Sequence, residues 1–419
     1  MIPSINVMMW GRKVGSLVEV GTGRNRKICF YFDPSYVRGG LDIAPLRAPL
    51  KGIAAQKGLP IYPDSERLFG GLPSFVADSL PDSWGHLVFS RWANEHNISL
   101  KHITALDRLA YTGCRGMGAM EFMPSISPEM ETSFKVEIEQ LSALAQTVLA
   151  QAKNLKAELS NGFVVESLFR VGTSAGGRRP KALINVNLAT GECFSGQVAT
   201  EQPGFTPMII KFDERTGLPT TRIEYAYYLM ARRAGLLMKP SRLLEVKDGV
   251  HFLTERFDRI GNEKRHVQTL AAMNPLSTSY EDLFNVARKL ELQPDEMEQL
   301  FLQTALNFMA ANVDDHNKNF SFLMNDDGTW CLAPAYDFTF TVESSAPSYV
   351  NRHSMTVNGK DYDVTKEDLL KLADAYDIRN GNAILDAAGT AVANFAEFAD
   401  IAGISSEVVD EIKSHLSIF

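Results

Sequence analysis

The stretch from Ala311 to Leu323, ANVDDHNKNFSFL, constrains what this chain can fold into more than any other. It crowds two aspartates, a histidine, a lysine and three asparagines into a run that becomes apolar at its end. Asp314 and Asn319 stand five residues apart, and Asp337 follows in the run PAYDFTF. A strongly apolar helix pattern that begins near Pro294 leads into the stretch. A carboxylate, an amide and a second carboxylate in this order can seat a base and bind divalent cations.

Phosphoryl transfer explains why these residue types would occur together. In this reaction the protein mainly positions groups and neutralises charge, so one Asp orients the attacking hydroxyl while an Asn and a second Asp hold magnesium against the phosphates. Protein kinases use D-x-x-x-x-N and then DFG. Here Asp314 to Asn319 and the run Asp337-Phe338-Thr339 occupy those places. A polar turn whose Asp and Asn side chains satisfy local backbone groups is the alternative, and the spacing alone leaves both interpretations open.

Composition narrows the class of protein. With 419 residues, 45% of them hydrophobic and 22% charged, the chain is long enough for two or three globular domains. Its formal net charge of -8 argues against a self-sufficient nucleic-acid binder, although a local basic patch is compatible with it. The four cysteines show no C-x-x-C spacing, which favours neither zinc nor disulfides and indicates a reducing compartment. We find neither a leader pattern nor roughly 18 uninterrupted apolar residues, so we expect a cytoplasmic protein with no membrane association.

The amino-terminal third alternates β-prone and helical patterns. Residues 5–33 contain three short β-prone runs, which predict a small antiparallel meander. A helical pattern occupies residues 65–96, where Asp82 or Ser83 can cap a helix that starts in the run PDSWG. We interpret the glycine-rich segment 113–118 as a tight turn between two strands rather than a phosphate cradle, because no helix start with a basic residue follows it.

The sequence after residue 123 predicts a domain boundary and further helices. A Pro- and Ser-rich segment at 124–136 precedes a helical pattern at 137–158, and we place the main domain boundary there. Beyond Asp337 a loop-like segment leads into helices, with a cap at Thr365 and amphipathic patterns at 380–398 and 405–416.

Small residues at 172–177 lead through Arg178, Arg179 and Lys181 into the strand pattern ALINVN. Such a loop can bring backbone N–H groups and cations against a polyphosphate, which larger side chains would obstruct. A flexible hairpin whose arginines face solvent is the alternative.

Lys211 ends the apolar strand pattern that begins at Met208. If this ammonium is buried it must find an anion, because burial without a partner costs several kcal/mol. Glu224, in the next helix pattern, is a fitting partner. A lysine that remains in solvent is the alternative.

The motif ERFDR at 255–259 follows a predicted hairpin formed by residues 243–254. A strand that exits into a connector here has the position of the hinge in a bilobal nucleotide enzyme, whose backbone reads the adenine. The charges of the motif also fit a solvated face, or a structural salt bridge of Arg256 or Arg259 with Asp258.

Four motifs in order resemble the HipA family, the Ser/Thr kinase toxins of bacterial toxin-antitoxin pairs. They are TSAGGRRPKA at 173–182, IIKF at 209–212, ERFDR at 255–259, and NVDDHNKNFSFL with APAYD at 312–337. The first 120 residues, including LPDSWGHLV at 80–88, also look like that family's β-rich first subdomain. The resemblance therefore covers nearly the whole chain.

The resemblance implies an α+β fold, in which a small β-rich N-terminal subdomain precedes a bilobal protein-kinase-like fold with a helical C-lobe. We expect the β-rich subdomain, with helices, at residues 1–123. A nucleotide-binding part like a kinase N-lobe would occupy 137–258, and the helical C-lobe with the catalytic and metal-binding loops would occupy 259–419.

The resemblance also implies roles for single residues. Asp314 matches the family's catalytic base, and Lys211 matches the lysine on the nucleotide phosphates. Asn319 and Asp337 match its magnesium ligands. Ser174 looks like the phosphate-loop serine that such kinases autophosphorylate, which removes the loop from the ATP site and silences the enzyme. Thr173 beside it leaves the site of phosphorylation open.

The other candidates for ATP binding are residues of the phosphate loop, the hinge and the catalytic loop: Gly176, Gly177, Lys181, Glu255, Phe257 and His316. Of these, Glu255 and Phe257 match hinge positions beside the adenine. We interpret His316 as a hydrogen-bond partner that orders its loop rather than as a metal ligand, because no second histidine is near it.

Three functional hypotheses follow. The first is an ATP- and Mg²⁺-dependent protein Ser/Thr kinase that phosphorylates a cellular protein and autophosphorylates a loop serine. The second is a catalytically weak binding or co-repressor module that acts with a helix-turn-helix antitoxin partner and contacts DNA only indirectly through that partner. The third is a small-molecule kinase, because the same arrangement serves aminoglycoside and sugar kinases. The catalytic motifs do not identify the target.

Overall fold

The helices and strands of the chain form the α+β fold that the family resemblance implies. The computed structural model describes residues 2–21, 26–64, 69–95, 98–125, 133–152, 179–196, 203–215, 217–247, 249–261, 263–343 and 351–419. Across these residues, no helix is both long enough and apolar enough to cross a membrane.

A four-stranded antiparallel sheet lies in the amino-terminal part. Its strands are β1 (Ser4–Met9), β2 (Arg12–Val20), β3 (Lys27–Phe32) and β4 (Met120–Met123), in the spatial order β3-β2-β1-β4. Along β1 the side chains alternate between buried and more exposed positions, because one face of the sheet packs on the core. The predicted meander is confirmed, and β4 pairs with β1.

Helices fill the sequence between β3 and β4. They are α1 (Pro34–Val37), α2 (Ile53–Lys57), α3 (Ser74–Ala77), α4 (Ser83–Glu95) and α5 (Ala105–Thr112). Asp82 caps α4, since its Oδ1 accepts a hydrogen bond of 2.6 Å from the backbone N–H of Gly85. The strand predicted before the turn at 113–118 is wrong. That segment is α5, which Thr104 and Asp107 begin with a reciprocal capping box.

A second antiparallel sheet has five strands. They are β5 (Lys181–Asn187), β6 (Cys193–Ser195), β7 (Phe205–Lys211), β8 (Ser241–Val246) and β9 (Gly249–Glu255), in the order β6-β5-β7-β9-β8. Helix α6 (Ile138–Ala152) precedes the sheet and confirms that part of the helical pattern at 137–158; the rest of the pattern lies outside the described residues. Helix α7 (Thr220–Ala234) connects β7 to β8 and ends at Gly235, whose φ of 95° suits glycine.

The remainder is mainly helical and completes the bilobal arrangement that the sequence predicts. Its strands are β10 (Arg259–Ile260), β11 (Glu263–Lys264), β12 (His266–Thr269), β13 (Ser321–Met324) and β14 (Trp330–Leu332). Its helices are α8 (Leu270–Met273), α9 (Tyr280–Lys289), α10 (Pro294–Met309), α11 (Lys366–Ala375), α12 (Gly381–Ala393), α13 (Phe395–Ile401) and α14 (Ser406–Lys413). The single helix predicted at 380–398 is two helices, because the chain leaves helical geometry at Asn394.

The hydrophobic side chains of the described residues form two cores, and amino-terminal elements contribute to both. The larger core combines β1 to β4 with α7, α10 and the carboxy-terminal helices. The smaller core combines α4 and α6 with β5, β7 and β9. The amino-terminal region therefore packs against both lobes of the rest of the chain. The domain boundaries predicted from the sequence stay predictions.

A buried ion cluster ties the end of β9 to the turn at 113–118. Asp258 accepts hydrogen bonds from Arg256 Nε at 2.9 Å, Arg256 Nη2 at 2.8 Å and Arg259 Nη1 at 2.6 Å. The backbone N–H of Gly118 donates to the same carboxylate at 2.8 Å. Burial opposes ionisation of Asp258, but the two arginines outweigh it and hold its pKa well below the usual value. The salt-bridge interpretation of ERFDR is therefore confirmed.

Candidate active site

Lys211, the last residue of β7, forms a buried ion pair with two carboxylates. Its Nζ donates to Oε1 of Glu224 on α7 at 2.5 Å, and to Oδ1 of Asp337. Burial tends to lower the pKa of Lys211, but Asp337 and Glu224 reverse the effect and hold it above the usual value. The predicted pairing with Glu224 is present, and Lys211 is not a solvated lysine.

Lys181 lies directly opposite Lys211 in the register of β5 and β7. Opposite residues of an antiparallel pair point to the same face, so both lysines approach Asp337. Lys181 is only 3% exposed. Burial is the main influence on its pKa and lowers it, against the attraction of Asp337. Arg179 adds positive charge on this side, since its Nη1 lies 3.9 Å from Oε2 of Glu224.

Asp337 presents its carboxylate to these lysines from a left-handed backbone conformation. Its φ is 50°, which is uncommon for a residue other than glycine and is a form of strain often found at functional sites. Burial opposes ionisation, but Lys211 and then Lys181 outweigh it and hold the pKa of Asp337 far below the usual value. Asp337 is therefore an anion at neutral pH.

The loop after α10 closes through a backbone contact between Asp314 and Asn319. Asn319 Nδ2 donates to the Asp314 carbonyl at 2.7 Å, and the Asp314 N–H donates to Thr341 Oγ1 at 3.1 Å. These bonds engage the backbone of Asp314 and leave its side chain 60% exposed. Residues 314–319 thus form a polar turn, and the carboxylate of Asp314 faces solvent.

His316 orders the same loop. Its Nδ1 accepts a hydrogen bond from the Lys318 N–H at 3.2 Å, while its Nε2 lies 3.9 Å from Oδ1 of Asp314. Both contacts are within the loop, as the loop-ordering interpretation expects.

Tyr336 joins this loop to Asp337 and to Phe257. Its hydroxyl donates to the Lys318 carbonyl at 2.7 Å. Asn319 follows Lys318 and Asp337 follows Tyr336. This hydrogen bond therefore holds Asn319 and Asp337 on neighbouring backbone segments. The Tyr336 ring also packs on the ring of Phe257, with centroids 5.3 Å apart.

Glu255 is the last residue of β9 and pairs with Met208 of β7. Its backbone N–H donates to the carbonyl of Pro240 at 3.0 Å. Phe257, two residues later, reaches Tyr336. The segment that follows β9 therefore lies next to Tyr336, the residue that precedes Asp337.

Comparison with known proteins assigns this arrangement to a family. The model of the HipA-like C-terminal domain matches residues 173–415, and the model of the HipA N-terminal domain matches residues 5–123. The chain belongs to the HipA family. The resemblance seen in the sequence is thereby confirmed. No curated protein matches this HipA-family chain in sequence.

One solved HipA structure is similar in fold over nearly the whole chain. HipA of Shewanella oneidensis MR-1, solved in a complex with HipB and operator DNA, matches with a TM-score of 0.64 at 16% identity. The match covers 98% of this chain and 99% of that chain. The Helicobacter pylori proinflammatory kinase CtkA matches with a TM-score of 0.32 at 14% identity, over 50% of this chain and 88% of that chain, which is too low to support a conclusion.

Part of the phosphate loop expected of a HipA-family chain lies outside the described residues. This applies to Thr173, Ser174, Gly176 and Gly177. Their proposed roles stay predictions. Lys181, at the end of the loop, is described and lies beside Lys211.

A buried anchor, which no local sequence pattern indicates, supports the loop that carries Asp314 in this HipA-family chain. Asp315 is fully buried and accepts hydrogen bonds from Tyr280 OH at 2.5 Å, the Ser354 N–H at 2.7 Å and His353 Nδ1 at 2.9 Å. These hydrogen bonds hold the Asp315 side chain in the protein interior. The side chain of the adjacent Asp314 consequently faces solvent.

Two asparagines extend this anchor. Asn307 Nδ2 donates to Tyr280 OH, and Asn312 Nδ2 donates to Asn307 Oδ1, both at 2.9 Å. Buried polar groups nearly always have hydrogen-bond partners, so an asparagine in the apolar pattern of α10 was a signal for such a network. Tyr280 and His353 are too distant in sequence for any local pattern to connect them to Asp315.

The two predicted metal ligands offer oxygen atoms suited to magnesium. Among the described residues, no group of three or more His, Cys, Asp or Glu side chains could hold a metal ion. Asn319 directs its Nδ2 to a carbonyl, so its amide oxygen is the atom that remains for a cation. With the ionised carboxylate of Asp337, this set fits magnesium, which usually takes one or two protein ligands beside phosphate oxygens and water.

Proposed function

We propose that this HipA-family chain is an ATP- and magnesium-dependent protein Ser/Thr kinase. The observation that supports this most is the buried group formed by Lys211, Glu224 and Asp337. A kinase pairs its phosphate-binding lysine with a helix glutamate and places a metal-binding aspartate beside it. Here Lys211 ends β7, Glu224 lies on α7 and Asp337 follows β14. The Lys211 ammonium contacts both carboxylates.

Each residue has a defined task in this proposal. Asp314, exposed at the loop surface, accepts a hydrogen bond from the acceptor hydroxyl and orients it. Lys211 and Lys181 neutralise charge on the nucleotide phosphates. Asn319 and Asp337 would hold magnesium, which when bound neutralises phosphate charge and fixes its geometry. His316 keeps the Asp314 loop in shape.

The adenine would lie beside the exit of β9. Glu255 ends β9 at this position, and Phe257 with Tyr336 supplies an aromatic surface. Aromatic side chains bind flat ring systems through area burial and stacking. Replacing Phe257 by Ala should therefore weaken ATP binding, and calorimetry that finds an unchanged affinity would oppose this placement.

We further propose that Ser174, or Thr173 beside it, is autophosphorylated. A phosphate there adds nearly two negative charges to a loop that must hold ATP phosphates, and so repels them or expels the loop. Phosphorylated protein should have lower activity. Mass spectrometry that finds all phosphate at other residues would contradict this regulation.

The proposed setting is a cytoplasmic toxin-antitoxin pair. The similar Shewanella oneidensis HipA was solved with HipB and operator DNA, and we propose a helix-turn-helix antitoxin as the partner of this chain. With a net charge of -8, the chain would contact DNA mainly through that partner.

Labelled-phosphate transfer in a bacterial lysate tests the function. Wild-type protein with γ-labelled ATP and magnesium should label itself and at least one lysate protein, and Asp314→Ala should label neither. Label found only in small metabolites would select a small-molecule kinase instead. Absence of ATP binding by calorimetry would select the binding module that acts with an antitoxin.

A further inference from the structure

The short helix α8 lies between the amino-terminal region and the loop that joins α10 to β13. The backbone N–H of Leu270, its first residue, donates to the carbonyl of Phe320 at 2.8 Å. The N–H of the next residue, Ala271, donates to the carbonyl of Asn317 at 3.0 Å. These two carbonyls stand on either side of Asn319. The first turn of α8 therefore holds the loop backbone on both sides of a predicted magnesium ligand.

A side chain attaches the same loop to the segment that follows α8. Asn317 Nδ2 donates to the carbonyl and to Oγ of Ser277, both at 3.1 Å. Ser277 Oγ donates in turn to the carbonyl of Asn274, the C-cap of α8, at 2.8 Å. The loop is thus attached at both ends of α8, so a displacement of the helix would displace the loop.

Asp78, the C-cap residue of α3 in the amino-terminal region, binds the residue at which α8 begins. Its Oδ2 accepts from the Thr269 N–H at 2.8 Å, and its Oδ1 accepts from the Thr269 hydroxyl at 2.9 Å. Thr269 Oγ1 also accepts from the N–H of Ala272 at 3.2 Å and thereby caps α8. A hydroxyl has a single proton. Because Asp78 accepts that proton, the lone pairs of Thr269 Oγ1 are directed to the helix.

Further contacts attach the amino-terminal region to this element. Ser74 of α3 is fully buried, and its hydroxyl donates to the carbonyl of Ala272 at 2.9 Å. Gln268, which precedes Thr269, is also fully buried and donates through Nε2 to the carbonyl of Ile43 at 2.9 Å. The amino-terminal region therefore contacts α8 and the strand before it, and Asp78 makes its contact at the end of α8 whose N–H groups reach the loop.

On the basis of the proposed kinase function, we propose that Asp78 is a positioning residue for the magnesium ligand Asn319. Asp78 orients Thr269, Thr269 sets the start of α8, and the N–H groups of that turn hold the loop backbone around Asn319. The Asn319 amide binds the Asp314 carbonyl through Nδ2 at 2.7 Å, which leaves its oxygen for the cation. The amino-terminal region thereby contributes to the metal site without a ligand of its own.

Hydrogen exchange of the protein without nucleotide tests the connection from Asp78 to α8. Asp78→Ala removes both acceptors of Thr269. Asp33→Ala is the matched control, because Asp33 accepts from the N–H and the hydroxyl of Ser35 at 2.9 and 2.6 Å but caps α1 instead. Asp78→Ala should speed exchange of the first two amides of α8 about tenfold, and Asp33→Ala should leave them unchanged.

The magnesium requirement tests the positioning role. At saturating ATP, Asp78→Ala should raise the magnesium concentration for half-maximal phosphate transfer about tenfold, because residues that orient a metal ligand from outside affect metal affinity by such amounts. Asp78→Asn keeps an acceptor for the Thr269 N–H and should give a smaller increase. Asp33→Ala should match wild type. All rates are measured well below the unfolding midpoints, so that a loss of stability alone leaves the magnesium requirement unchanged.

The outcomes separate this inference from the kinase proposal. Unchanged exchange at the start of α8 in Asp78→Ala would overturn the inference whatever the protein does with ATP. An active wild type with an unchanged magnesium requirement in Asp78→Ala would overturn it while the kinase proposal stands. If Asp78→Ala does not fold, Asp78→Asn serves for both measurements with the same criteria. Wild type that transfers no phosphate would overturn the kinase proposal, and the positioning role of Asp78 with it.

Discussion

Asp314 and Asp315 are neighbours in sequence but lie in opposite environments in the loop after α10. Asp314 is 60% exposed, whereas Asp315 is fully buried with three hydrogen-bond donors around its carboxylate. The spacing to Asn319 distinguishes Asp314 in the sequence. The task of Asp315 depends on residues more than 30 positions away, which no local pattern reports.

This contrast predicts different effects of substitution at the two aspartates. Asp315→Ala should lower the thermal unfolding midpoint by about 3 °C, because it leaves Tyr280 and His353 without their buried acceptor. Asp314→Ala should change the midpoint by about 1 °C or less, since its side chain is exposed. Differential scanning calorimetry of both variants measures this. Equal midpoints would contradict the anchor role of Asp315.

A buried histidine should make the protein sensitive to mild acid. His266 is fully buried, its Nε2 donates to the carbonyl of Ile43 at 2.9 Å, and burial lowers its pKa to about 4. Between pH 6.5 and 4 the unfolded chain therefore binds a proton that the folded protein does not. The contribution of His266 to stability is complete above pH 6.5 and declines as the pH falls toward 4, by up to about 3 kcal/mol.

The comparison of wild type with His266→Gln measures this contribution. The difference in unfolding free energy between the two proteins should shift in favour of the variant as the pH falls from 7 to 4. His251, whose pKa burial also lowers to about 4, has the same sign and is common to both proteins. A difference that is constant over this pH range would exclude His266 as an acid-sensitive group.

At the scale of elements, the pairing of β5 with β7 and the position of α7 create the proposed phosphate side of the site. Glu224 lies on α7 and Lys211 at the end of β7, and their ion pair is buried. Glu224→Gln keeps the shape but removes the charge. It should reduce phosphate transfer about 100-fold, because Lys211 loses one of the two anions that place it.

Glu245→Gln is the control for that substitution. Glu245 lies on β8, is largely exposed and pairs with Arg222 at 3.4 Å. Its loss should leave phosphate transfer within about twofold of wild type. Transfer rates that fall equally in the two variants would refute a specific role for the Lys211–Glu224 pair.

Local patterns predicted much of the fold, and long-range contacts account for the rest. The meander at 5–33, the strands around Lys181 and Lys211, and the capped helix after Thr365 carry their own signals of alternation, apolar runs and caps. The register that sets Lys181 against Lys211 and the packing of Trp84 on β5 are tertiary contacts. The sequence could not reveal either one, because no local rule links segments 30 to 100 residues apart.

At the scale of the whole molecule, the amino-terminal region is built into the rest of the chain. The carbonyl of Ile43 accepts hydrogen bonds from His266 and Gln268, and Asp78 accepts two from Thr269. The buried cluster around Asp258 adds a contact between the end of β9 and the turn at 113–118. We therefore expect the amino-terminal region and the lobes to unfold together.

The Asp258 cluster tests this coupling. Asp258→Asn leaves Arg256 and Arg259 buried without their counter-charge, which should lower the unfolding free energy by about 3 kcal/mol or more. The control Asp377→Asn breaks an exposed pair with Arg288 and should cost less than about 1 kcal/mol. Hydrogen exchange should show faster opening at both β4 and β9 in Asp258→Asn. Faster exchange confined to one of them would argue against coupled unfolding.

The proposed kinase function depends on phosphate transfer with Asp314 as the group that orients the acceptor. The most direct measurement is the initial rate of label transfer from γ-labelled ATP, with magnesium, for wild type and Asp314→Asn after both are shown to have the same unfolding midpoint. Wild type should transfer phosphate, and the rate should be about 1,000-fold lower in Asp314→Asn. No transfer by wild type, or an equal rate in Asp314→Asn, would contradict it.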